Sequence, residues 1–226
     1  MPHKPVRNPW LRLPESASFV LPEDEPLLEK FNARAKPEHF YDLNLYPDPY
    51  FGSLNASVVV LLLNPGLHEK DREEHERPDF AEIARKNLAH KLEQYPFMYL
   101  HPAAASTPGS EWWQKRTRQL RSDVGDETVA KNLACIQYMP YHSKKYRHSS
   151  VPLPSQAYTF HLVRQAIARG AEIVILRSRD IWLQAVPELE FCEDRLHFGA
   201  NARATYLTRG NLHASYDRIA QRLSDG

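Results

Sequence analysis

Residues 58–63, Val-Val-Val-Leu-Leu-Leu, closed by Asn64, Pro65 and Gly66, constrain the fold more than any other stretch of this chain. The run is shorter than a typical helix and half of it is β-branched. It suits a strand buried on both faces, the pattern of parallel sheets inside α/β layers. Pro65 removes a backbone donor and fixes φ, and Gly66 permits conformations closed to other residues, so the strand is expected to stop at Asn64. Asn64 carries two amide donors and an acceptor on a rigid turn at the carboxyl end of a strand, where open α/β sheets hold their ligands. The same three residues also suit an ordinary strand-ending turn without chemistry.

Three further stretches read as strands: 133–139, 173–176 and 204–207. Each is followed by polar residues, and helical periodicity fills the intervals at 25–35, 78–94, 110–121, 154–169 and 212–223. In the second of these helices Phe80, Ile83, Ala84, Leu88 and Leu92 recur at helical spacing; in the third, Trp112, Trp113 and Leu120 face inward. In the fourth, Ser155 is a candidate cap, Phe160, Leu162, Val163, Ala166 and Ile167 form the buried face, and Gly170 stands at the stop. Residues 36–52 read as an ordered loop and 187–202 as an irregular or hairpin-like insertion. The expected fold is α/β, a three-layer α/β/α domain around a central four-stranded parallel sheet, because right-handed crossovers place all four strand ends on one edge. One domain spans 1–226, with 1–24 as an extended, proline-rich arm that lays Trp10, Leu11, Leu13, Phe19 and Leu21 on it.

Composition excludes several classes. No apolar run approaches a membrane span and the amino terminus has no signal-peptide core, so a cytoplasmic protein without a membrane partner is expected. Cys135 and Cys192 lack close cysteine partners, which argues against a zinc or iron–sulfur site, and no metal is expected. The alternating charges of 67–77 read as a solvated face. No GxSxG elbow, P-loop or dinucleotide fingerprint is present. A formal net charge of +1 leaves nucleic-acid binding open, since one basic face can be balanced by acidic helices elsewhere. Such a face is offered by the loop after the second strand, where Tyr141, His142, Lys144, Lys145, Tyr146, Arg147 and His148 mix aromatics, histidines and cations, with Ser149 and Ser150 beyond them. That mixture suits a stacked base with phosphates beside it, and equally a solvated basic loop.

Upstream of the first strand, Pro47, Asp48, Pro49, Tyr50, Phe51 and Gly52 precede a short spacer. The order Pro, aromatic pair, Gly, spacer, aliphatic strand, Asn-Pro-Gly resembles the uracil-DNA glycosylase superfamily. It is most similar to the mismatch-specific and single-strand-selective branches, whose first motif also ends in Asn-Pro-Gly. The order of strands and strand-end segments extends the resemblance from about residue 40 onward. It implies a monofunctional, cofactor-independent DNA glycosylase acting as a monomer on a base turned out of DNA, modified bases included, in repair or in defence against modified foreign DNA.

The resemblance also implies roles for residues. Asn64 positions the hydrolytic water, and Tyr50, Phe51, Pro65 and Gly66 shape the pocket. Asp48, Glu69 and Asp71 are the nearest carboxylates that could supplement Asn64. His142 contacts substrate, and Lys144, Lys145 and Arg147 hold DNA. The family's second motif, His-Pro-Ser or Asn-Pro-Ser after the last strand, is replaced here by Thr208, Arg209, Gly210, Asn211, Leu212 and His213. Thr208 and Arg209 are then the catalytic candidates from that strand end and Asn211 a substrate contact. The departure points away from uracil, or to one of two alternatives: a catalytically decayed nucleic-acid-binding module, or a hydrolase of free nucleosides or nucleotides.

Overall fold

The computed structural model describes residues 6–148, 152–201 and 203–226. The first five residues, and the Ser149 and Ser150 hydroxyls expected in the basic loop, lie outside them. Five strands form one mixed sheet: β1 (Tyr50–Gly52), β2 (Val58–Leu62), β3 (Leu133–Gln137), β4 (Glu172–Ile175) and β5 (Leu196–Phe198). Their spatial order is β1-β3-β2-β4-β5. The contacts β3–β2, β2–β4 and β4–β5 are parallel, whereas β1 runs antiparallel to β3. Every residue of β2, β3 and β4 is buried, as strands covered on both faces require.

The helices are α1 (Glu25–Asn32), α2 (Asp71–His75), α3 (Pro78–Leu88), α4 (Pro108–Val124), α5 (Asp126–Asn132), α6 (Gln156–Ala168), α7 (Arg179–Ala185), α8 (Arg209–Leu212) and α9 (Ser215–Ser224). Helices α4, α5 and α9 pack on one another, with α5 against β1 and β3 and α9 against β2, while α6 lies on β3 and β4. The α6 stop falls at Gly170, whose φ of 80° suits glycine. Ser155 precedes α6 without capping it through its hydroxyl; its N–H instead donates to Asp24 Oδ1 at 3.0 Å.

Two corrections concern the sheet. It has five strands, not four, and is not wholly parallel. Residues 204–207, expected as the last strand, are irregular: the Leu207 N–H donates to the Arg116 carbonyl of α4 rather than to a strand. The last parallel strand is β5, inside the segment expected to be an irregular or hairpin-like insertion. At the other edge, β1 forms within the expected loop because Gly52, at φ 105°, leaves room for the backbone of Ala134 to lie against it.

The arm, residues 1–24, is described from residue 6 onward. Trp10, Leu13, Val20 and Leu21 are buried and Phe19 stacks on Tyr46 at 4.1 Å, although Leu11 is exposed. It is not wholly extended, since Pro9–Arg12 makes one turn of 3₁₀ helix. Among the described residues, no helix is long and apolar enough to cross a membrane.

Candidate functional site

The connection leaving β2 goes to one side, to β3, and the one leaving β4 goes to the other, to β5. The switch point therefore lies between β2 and β4, where open α/β sheets leave a crevice beyond their carboxyl ends. A cleft of about 640 Å³ opens there, within the range of small-ligand sites. Asn64, Pro65 and Gly66 from the β2 turn, Gln137 from β3, His142 to Tyr146 from the loop after it, and Arg177 from the segment after β4 all line it. Leu62 pairs with Gln137 across the sheet, so the register brings the two strand ends to one level.

The turn and the loop are bonded together. Tyr138 and Met139 donate backbone N–H groups to Leu62 and Leu63, and Ser143 donates to Pro65. Asn64 Nδ2 donates to the Pro65 carbonyl at 2.7 Å and to Ser143 Oγ at 3.0 Å. Its Oδ1 accepts no hydrogen bond among the described residues, which leaves an acceptor on a fixed amide. The loop is held from its other side by Asp42 and Asp48, whose N–H groups donate to His142 and Pro140, and by the Lys145 N–H bonded to Glu38.

The opposite wall is aromatic: Tyr99, Trp112 and Trp113. Thr107 caps α4, its Oγ1 accepting from the Ser110 N–H at 3.1 Å, and Pro108 occupies the first turn. Gly109 lets that turn press on Tyr99; a methyl group there would run into the ring. Trp113 is buried, whereas Trp112 is half-buried with the Arg116 guanidinium 4.0 Å from its ring centre. Thr205, whose Oγ1 accepts from Arg116 Nε at 3.3 Å, completes this side.

The floor is polar. The Asp48 carboxylate accepts a hydrogen bond from the Tyr99 hydroxyl and lies 3.7 Å from His142 Nε2. Burial raises the Asp48 pKa, against the lowering influence of His142 and Tyr99. Burial likewise raises that of Asp71, although Asp71 Oδ2 accepts the His68 N–H at 2.6 Å. Asp71 and His75 thus sit buried in a stretch expected to be a solvated face, and burial pushes the His75 pKa well down. Gln137 is 4% exposed, and its Oε1 is shut off from solvent without a hydrogen-bond partner among the described residues. Buried polar atoms are nearly always paired, and this oxygen, screened from the cleft opening, is an exception.

The sequence candidates divide into two groups. Asn64, Pro65, Gly66, His142, Lys144 and Lys145 meet at the cleft. Gly66 adopts no left-handed backbone there and faces open space, so its conformational freedom is not what the turn uses. His142 is 4% exposed, and both its ring nitrogens lie against carbonyls, Nδ1 at 2.7 Å from Gly66 and Nε2 at 3.1 Å from Tyr46, which makes it a clamp more than an open contact.

The other candidates lie away from the cleft. Tyr50 and Phe51 are core residues of β1: Tyr50 stacks on His90, and Phe51 stands edge-on to Tyr99 and Trp113, behind the wall rather than on it. Thr208 precedes α8. Arg209 is paired with Asp217, lies 3.7 Å from Asp123 and covers the Tyr216 ring. Asn211 is buried, Nδ2 donating to Tyr206 and Oδ1 accepting from the Asn201 N–H, and so ties two loop segments together. Arg147 lines a different cleft. Glu69 is exposed and outside the lining, whereas Asp48 and Asp71 are part of it.

Gln137, Tyr99 and Thr205 were not candidates from sequence. For Gln137 a signal exists: one amide at the carboxyl end of an otherwise apolar strand. Among the described residues no group of three or more His, Cys, Asp or Glu side chains is arranged to hold a metal. No family model, curated protein or solved structure matches the chain.

Proposed function

We propose that the chain is a DNA glycosylase-like hydrolase, built as a three-layer α/β/α domain of the uracil-DNA glycosylase kind, that cleaves the N-glycosidic bond of a base turned into this cleft. The observation that carries the reading is the meeting of two amides at adjacent strand ends, Asn64 held by Ser143 with its acceptor free among the described residues and Gln137 on the cleft lining, opposite an aromatic wall. A flipped base needs a ring surface to lie on and polar groups for its edge. Trp112 and Tyr99 supply the surface and Gln137 the edge contact.

In the reaction the C1′–N bond breaks with its electron pair leaving on the base. Water adds its oxygen to C1′ and gives up one proton, and the base gains one. Asn64 Oδ1 orients that water, and Asp48 and Asp71, when ionised, favour positive charge on the sugar. Lys144, Lys145 and Arg177 at the cleft suit the phosphates on either side.

The test is alkali-induced cleavage of labelled oligonucleotides carrying uracil, hypoxanthine and modified cytosines. Cleavage at one base, reduced at least about 100-fold in Asn64→Ala, is the expected result. Salt-sensitive binding without cleavage at any base would replace this reading with that of a binding module.

A further inference from the structure

A second cleft, of about 430 Å³, lies on the far side of the loop that follows β3. Its floor is apolar and includes Met139 and the ring pair Phe31 and Tyr41, 5.0 Å apart. Its rim carries Lys30, Arg34 and Arg147, all exposed, and among the described residues no carboxylate lines it. None of these three cations is ion-paired among the described residues. An apolar, partly aromatic floor under unpaired cations is complementary to a flat ring bearing an anion.

The two clefts share one loop. Lys144, Lys145 and Tyr146 line the first, and Arg147 and His148 the second. The Tyr146 hydroxyl, from a side chain of the first cleft, lies 3.2 Å from Nδ1 of His148 in the second. Lys145 and Arg147 are two residues apart, no more than about 7 Å along the backbone. One strand can therefore touch both.

We propose that this second cleft binds a nucleotide neighbouring the flipped one on the same DNA strand, its base over Phe31 and Tyr41 and its phosphate on Arg34 and Arg147. The inference rests on the glycosylase reading, and it adds a recognition site for the sequence or structure beside the target base. Lys30 extends the same cationic edge.

The test compares Arg34→Ala/Arg147→Ala with Lys144→Ala/Lys145→Ala, all exposed positions, by fluorescence anisotropy of a single-stranded oligonucleotide over a salt series. Both double variants are expected to bind roughly tenfold more weakly, each with the slope of log K against log salt reduced by about 1.4. Weakening by the lysine pair alone would overturn the second site and leave the glycosylase reading intact. No weakening by either pair would overturn both.

Discussion

Replacing Gln137 by Met tests whether its orphaned amide is a binding group. Met matches Gln in length and lacks the polar end, so the substitution keeps the volume of the wall. An unsatisfied buried polar atom costs about 1–3 kcal/mol. Only Oε1 of this amide is shut off without a partner, which places the gain from removing it near the lower end, about 1 kcal/mol. For a chain of this size that raises Tm by about 2–4 °C. The same change deprives a bound base of its edge contact, and cleavage in the oligonucleotide assay is expected to fall at least about tenfold. Thermal unfolding by circular dichroism reads the first effect and strand cleavage the second. A Tm that stays level or falls would mean that the amide is already satisfied, and the case for Gln137 as a ligand group would be refuted.

Burial lowers the His90 pKa to about 4 from the usual 6.5. The neutral ring is therefore favoured in the folded state, and its contribution is full above pH 6.5 and lost as pH falls toward 4, at most about 3 kcal/mol. Denaturant titrations at pH 7, 5.5 and 4 should show a shallower loss for His90→Gln than for the natural chain. An identical loss would place the acid sensitivity elsewhere. Gly52→Ala forces a side chain onto the Ala134 backbone at a left-handed φ and should cost about 3 kcal/mol, read as a fall in Tm. Gly66→Ala, facing open space, should leave stability within about 0.5 kcal/mol. Equal effects of the two glycine substitutions would contradict the conformations assigned to them.

The central elements were legible because their signals are local. Six aliphatic residues with an Asn-Pro-Gly stop can hardly be anything but a buried strand, and α6 carries both its apolar stripe and its glycine. The edge strands were not legible. β5 is three residues long and follows a charged stretch, and β1 sits among prolines; pairing alone makes them strands. Residues 204–207 have strand composition, yet α4 takes the Leu207 N–H.

The site divides in the same way. Asn64 and the basic loop follow directly from strand ends, and are legible. Tyr50 and Phe51 look in sequence no different from pocket aromatics, and only the antiparallel pairing with β3 turns them into core. Tyr99 and Trp112 reach the cleft through the packing of α4, which no local pattern encodes.

The central position of β2 also bears on how the chain is made. Both its hydrogen-bonding edges await partners from much later in the sequence, β3 roughly 75 residues on and β4 farther still. At about 5–20 residues per second of synthesis, 58–63 leaves the ribosome some 4–15 s before β3 exists. During that interval an apolar run with two open edges is the part of the nascent chain most prone to pair with another molecule. Yield in cells is therefore expected to depend on chaperone capacity and growth temperature more steeply than the stability of the finished protein would suggest.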